Sequence, residues 1–100
     1  MQVIYKYPLK IDGEVTIIYD SIVKILKIDT QDNWPTLWAI VDTNKEKTVP
    51  TKIYSCGTGW NLLEDYGHYI GTATNNFGYV WHYFVSKENF LNEDCYNEIK

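Results

Sequence analysis

The sequence contains no arginine: all nine basic residues are lysines, set against thirteen acids, for a formal net charge of −4 and a pI near 5.0. The planar, bidentate fork that reads guanine edges and grips buried phosphates is therefore missing. A net negative chain also repels a phosphate backbone, whose binding depends on neutralisation by basic groups. Direct nucleic-acid binding is not expected. The acids are spread along the chain, and −4 is a small charge for imitation of DNA.

Cysteine and histidine are scarce too, with two of each and no C-x-x-C or H-x-x-x-H spacing, so neither a structural zinc site nor any other metal or cofactor is expected. "MQVIYKYPLK" has lysines but no apolar stretch of signal-peptide length after them, and no run is long enough to span a membrane. The expectation is a leaderless, membrane-free cytoplasmic chain with Cys56 and Cys95 as reduced thiols. Linkers, low-complexity segments and internal duplication are absent; "CGTG" and "YIGT" share a Gly-Thr pair, but their surroundings do not repeat.

What the chain has in excess is rings. Four Trp, nine Tyr and three Phe make 16% of 100 residues, within an otherwise ordinary globular balance of 45% hydrophobic and 22% charged. Large aromatics favour strands and recognition surfaces. The length suits one domain, 1–100, divided into a β-rich core over 1–85 and a C-terminal segment over 86–100. "QVIYKYPL" and "GEVTIIY" flank the turn residues Asp12 and Gly13 and read as a first hairpin. "SIVKILKID" reads as a bulged strand. After the turn "TQDNWP", "TLWAIVD" reads as a central strand covered on both faces. The polar "TNKEKT" reads as a loop closing a hairpin against "VPTKIYSC". "HYIGTAT" and "YVWHYFV" form a last hairpin across "NNFG", with both faces of the second strand largely covered. "KENFLNEDCYNEIK" carries Leu91, Cys95 and Ile99 at intervals of four after a capping Ser86, the pattern of a short helix. About seven short strands without a βαβ rhythm make the chain mainly β: a small antiparallel sheet curled into a barrel or sandwich, with a short C-terminal helix.

The most chemically suggestive stretch is "SCGTGW", Ser55 to Trp60. It lacks the Lys and following helix of a phosphate loop, and the third glycine and βαβ context of a dinucleotide fingerprint. An anion nest from Gly57, Thr58 and Gly59 is weighed against a plain glycine turn, and the turn is favoured. Cys56 with His68 or His82 and an acid such as Asp65 would supply the parts of a thiol hydrolase, but a lone cysteine at a strand end is more often a packed hydrophobe. His82, inside an aromatic strand, reads first as a structural imidazole and second as a ligand contact. Glu64 and Asp65, like Glu93 and Asp94, offer no acid–base pair. The aromatics exceed what so small a core hides, so some of them form a contact surface.

The motifs "IYKYPL", "PTLWAIVD", "GTGW", "YIGT" and "VWHYF", in that order, resemble a small family of uncharacterised proteins encoded by bacteriophages and prophages, whose members carry "KYPL", "LWALVD", "GTGH", "YIGT" and "VWHVF". The likeness runs from about Val3 to Phe84 and covers Tyr7, Pro8, Leu9, Leu37, Trp38, Val41, Asp42, Gly57, Thr58, Gly59, Tyr69, Ile70, Gly71, Thr72, Val80, Trp81, His82 and Phe84. The departure is Trp60, where the family pattern has histidine. The resemblance implies a phage origin and no particular activity. Together with the acidic, aromatic-rich composition it leads to one expectation: a non-enzymatic binding protein of the host cytoplasm that blocks a bacterial defence system, in the manner of an anti-CRISPR, through contact with a host protein. The alternative is a sponge for a nucleotide signal. The expected contact residues are Trp38, Gly57, Thr58, Gly59, Trp60, Tyr66, Trp81 and His82.

Overall fold

Two residues, Asp32 and Asn33, set the architecture. Both take positive φ, 53° and 66°, the mirror-image turn whose twist matches that of the strands on either side. From this turn two long antiparallel strands run out side by side. The computed structural model describes residues 1–62 and 66–86, with backbone alone at 46–48. Its five strands are β1 (Gln2–Pro8), β2 (Val15–Gln31), β3 (Trp34–Gly57), β4 (His68–Thr74) and β5 (Val80–Val85).

β2 lies along one edge of β3 for its whole length, from Gln31 opposite Trp34 to Val15 opposite Tyr54. On the other edge of β3, β1 pairs with the first half (Pro8 opposite Thr36, Gln2 opposite Asp42) and β5 with the second (Ile53 opposite Val85, Gly57 opposite Trp81). β4 completes the sheet beyond β5. Register shifts in β2 between Ile18 and Lys27 bend the long hairpin, since a bulge adds local twist and turns the strand. The sheet curls until β4 lies against β2, with which it forms no ladder. The approach is close: a Cβ on Gly71 would sit 2.9 Å from Cβ of Ile28. The result is an open half-barrel, closed on that side by side-chain packing.

Alternate residues fill the concave side. Ile18, Ile22 and Ile25 from β2, Leu37, Ala39, Val41 and Ile53 from β3, Ile70 and Ala73 from β4, and Trp81, Tyr83 and Val85 from β5 form one buried cluster. Each large aliphatic among them contributes about 1.5–3 kcal/mol of burial. Leu9 enters from the loop after β1 and plugs one end of it. That loop is tied down by hydrogen bonds from the Tyr83 hydroxyl to the Lys10 carbonyl (3.0 Å), from Trp34 Nε1 to the Leu9 carbonyl (2.9 Å), and from Gly13 N to Ser55 Oγ (3.0 Å).

The mainly β, antiparallel, curled sheet agrees with the sequence reading, while its strands are fewer and longer. "VTIIY", from "GEVTIIY", and "SIVKILKID" belong to one strand, β2. "TNKEKT" closes no hairpin: "TLWAIVD" and "VPTKIYSC" are successive parts of β3, and both pair with β2. Between Asp42 and Thr51 β3 carries surplus chain relative to Ser21 and Ile18 opposite, so the polar stretch marks the bend of the sheet. The Asp12–Gly13 turn exists, with φ of 60° and 82°, yet β1 and β2 do not pair across it, because β1 joins β3 instead. The expectation of two covered faces is also corrected: in "TLWAIVD" Leu37, Ala39 and Val41 are buried while Trp38, Ile40 and Asp42 are half-buried, and β5 shows the same division. The expected C-terminal helix lies outside the described residues.

Candidate functional site

β3 ends at Gly57, and the chain turns at once. Trp60 N donates to the Gly57 carbonyl (3.1 Å) and Gly59 has φ +85° at the third position, so Gly57–Trp60 is a tight turn of the kind that needs glycine there. The Trp60 ring folds back over Gly57 so closely that a Cβ on Gly57 would lie 2.8 Å from Cε2; its outer edge reaches Gly13. The ring is nonetheless half exposed. Thr58 and Trp60 leave the turn in different directions and serve different ends.

Thr58 points to the convex face of the sheet, where Thr58 Oγ1 and His82 Nε2 are 2.8 Å apart. His82 Nδ1 lies 3.0 Å from Thr72 Oγ1, and Thr72 Oγ1 lies 2.6 Å from the Tyr69 hydroxyl. Four side chains from the turn, β5 and β4 thus form one hydrogen-bonded chain. Both imidazole nitrogens are engaged, which is the structural role read first for His82. Cys56 is its neighbour in the β3–β5 register, and the thiol points to the Gly57 carbonyl (Sγ–O 3.5 Å). With its nitrogens held by two threonines, His82 offers this thiol no free base. Asp65, the acid of the hydrolase reading, lies outside the described residues. Among the described residues no group of His, Cys, Asp and Glu is placed to hold a metal, and no helix is long and apolar enough to cross a membrane.

Next to this chain a row of side chains crosses four strands in register, Val15, Tyr54, Phe84 and Tyr69. Tyr66 sets its ring edge-on to Phe84 (centroids 5.2 Å), as Tyr69 does from the other side (5.6 Å). Trp60, Leu62 and Tyr66 rim a small hollow of about 110 Å³ over Tyr54, Cys56 and Phe84.

The other side of Trp60 faces a larger cleft of about 410 Å³ lined by Asp12, Gly57, Thr58, Gly78, Tyr79, Val80 and Trp81. Tyr79 stacks on Trp81 (centroids 5.8 Å, planes 28° apart); Trp81 is otherwise buried in the core while Tyr79 is exposed. The Asn75 side chain shapes the β4–β5 turn by accepting from the backbone N–H of Phe77 and Tyr79 (3.0 and 3.1 Å). The same turn is joined to the β2–β3 turn through Asn76 N to Asn33 Oδ1 (3.0 Å). Trp34, Phe77 and Tyr79, all exposed, lie on or beside these two joined turns, and exposed Trp60 faces Tyr79 across the cleft.

A model of a domain of unknown function, DUF7352, matches residues 1–93. The chain belongs to that family. No curated protein and no solved structure matches it.

Of the contact residues expected from this DUF7352 sequence, Gly57, Thr58, Gly59, Trp60, Tyr66, Trp81 and His82 come together around the turn after β3. Trp38 does not: it sits in the first half of β3, opposite Lys6 and Lys27, with Lys27 Nζ 5.2 Å from its ring centroid. Asp12, Tyr69, Thr72, Phe77 and Tyr79 were not among the expected contacts. For Thr72 a signal existed in the Gly-Thr pair shared by "CGTG" and "YIGT", since the two threonines flank one imidazole. For Asp12 and Phe77, which sit in turns far apart in sequence, none did.

Proposed function

We propose that the protein is a phage-encoded, non-enzymatic binding protein of the host cytoplasm, and that it blocks a bacterial defence component by protein–protein contact. The observation that carries this reading is the set of exposed rings: Trp60 and Tyr79 across one cleft, with Phe77 and Trp34 on or beside the β4–β5 and β2–β3 turns, which are bonded to each other. Large aromatics on a pre-ordered surface supply contact area at small entropic cost and are the usual anchors of tight interfaces. Trp60 is the central anchor, its ring packed across Gly57. The phage origin rests on the motif resemblance, and the counter-defence role on that origin together with the small acidic chain.

The nucleotide-sponge alternative draws on the Tyr79–Trp81 stack as a base platform. Against it, no lysine among the described residues lines either hollow beside Trp60, and the larger one contains Asp12. A phosphate would meet a carboxylate there.

Affinity capture from host lysate with wild type and Trp60→Ala, followed by calorimetry on the purified pair, tests the proposal. One host protein retained by wild type and lost with a folded Trp60→Ala supports it. Heat with a cyclic or linear nucleotide and with no protein would replace it by the alternative.

A further inference from the structure

The cleft between Trp60 and the Tyr79–Trp81 pair has an unusual chemistry for so small a domain: three electron-rich rings and one carboxylate. We propose that it is a cation site, built to take the ammonium group of a lysine side chain presented by the protein partner. This inference rests on the protein-binding reading above and names what that partner offers.

Trp60 and Tyr79 provide the open faces, and Trp81 backs Tyr79. Trp60 is half exposed and lies over Gly57, Tyr79 is exposed, and Trp81 closes the inner wall by stacking on Tyr79. A cation within about 6 Å of such ring faces is attracted by their quadrupoles, with Trp the strongest partner. The carboxylate is supplied by Asp12, which lies in the wall of the same cleft. It makes no ion pair or side-chain hydrogen bond among the described residues, and its charge reaches Tyr83 strongly enough to help keep that phenol protonated. Among the described residues no lysine lines the cleft, so none of them answers its charge.

Trp38 is already satisfied as a cation acceptor by Lys27, 5.2 Å from its centroid, whereas the cleft beside Trp60 has rings and an acid with no cation among the described residues. The cleft volume of about 410 Å³ accommodates a butylammonium chain. The net charge of −4 favours approach of a basic surface at long range.

The test uses the four indole N–H signals as separate reporters in ¹H–¹⁵N spectra of the full chain. A blocked Gly-Lys-Gly peptide is titrated against its norleucine counterpart, which keeps the chain and removes the charge. Trp60 and Trp81 signals are expected to move, Trp38 to stay, and the lysine peptide to bind about fivefold more tightly than the norleucine one. Asp12→Asn, whose side chain tolerates the local φ of +60°, is expected to bring the two peptides to near parity. Equal binding of the two peptides to wild type, no movement of Trp60 at millimolar lysine peptide, or an undiminished lysine preference in Asp12→Asn would overturn the proposal. If the lysine preference is absent while a host protein is still captured through Trp60, only the cation site falls. If the preference holds while no host protein is captured, the protein-partner reading falls instead.

Discussion

The Trp60 indole lies across Gly57 with no room between them: a methyl group on the glycine would meet Cε2 at 2.8 Å, Cδ2 at 3.0 Å and Nε1 at 3.0 Å. The obstacle is a half-exposed side chain rather than backbone, so it is able to swing aside. Gly57→Ala is therefore expected to cost only about 0.5–1 kcal/mol in urea unfolding while shifting Trp60 fluorescence and weakening partner capture. In a Trp60→Ala background the same substitution becomes close to neutral. A large loss of stability that persists without the indole would show that the glycine serves the backbone instead.

Thr72 stands between two partners, the Tyr69 hydroxyl and His82 Nδ1, whereas Thr58 at the other end of the chain has His82 alone. Thr72→Val, which keeps the shape and removes the hydroxyl, is expected to cost about 1–2 kcal/mol, and Thr58→Val about half as much. The double variant should lose less than the two losses combined, because both act through one imidazole. Strict additivity in chemical denaturation would break the chain into independent bonds.

Tyr83 is fully buried, and its phenol is pushed well above its ordinary value of 10.0, first by burial and then by the Asp12 carboxylate. The folded state thus prefers the protonated phenol. Stability from this source is complete below pH 10 and declines above it, as the unfolded chain ionises while the folded one resists. Tyr83→Phe is expected to lose about 1–2 kcal/mol at neutral pH, since the Lys10 carbonyl loses its donor, and to flatten the decline above pH 10. Identical pH profiles for variant and wild type would place the alkaline sensitivity elsewhere, with Tyr7 the next candidate, its phenol raised by burial and by Asp20.

At Gly71 the obstacle to a side chain is Cβ of Ile28, 2.9 Å away, and a Cβ has no rotamer with which to retreat. Gly71→Ala should therefore force β4 and β2 apart at a cost of about 1–3 kcal/mol, visible as a lower melting temperature and faster amide exchange at Ile70 and Ile28. Unchanged exchange at both positions would mean that the curl of the sheet absorbs a methyl group without opening.

The turns were the most legible part of the sequence. Asp12–Gly13 and Asn75–Gly78 act as turns because those residue types tolerate positive φ or bond their own backbone, as the Asn75 side chain does. Strand number was less legible: "TNKEKT" reads as a reversal because its composition is polar, yet polarity reports exposure and not chain direction. The sharp distinction between "GEVTIIY" and "SIVKILKID" fails for a similar reason, since a bulge disturbs the alternation without ending the ladder. At the site, Thr58 and His82 stood out through their glycine and aromatic settings, but only the register of β3, β4 and β5 shows that they meet. Trp38 was expected on composition alone, and composition does not say which end of a strand a ring occupies.

β1 and β5 dock on the same edge of β3, one on each half, and this orders the events by which the chain becomes a protein. β1 precedes its ladder partner in the chain and has none until Thr36–Asp42 has been made, so it waits. The long β2–β3 hairpin, joined by a two-residue turn, is the most local pairing available and is the expected nucleus. Substitutions at Asp32 or Asn33 should then slow folding, while truncations in β1, such as Val3→Ala, should mainly speed unfolding.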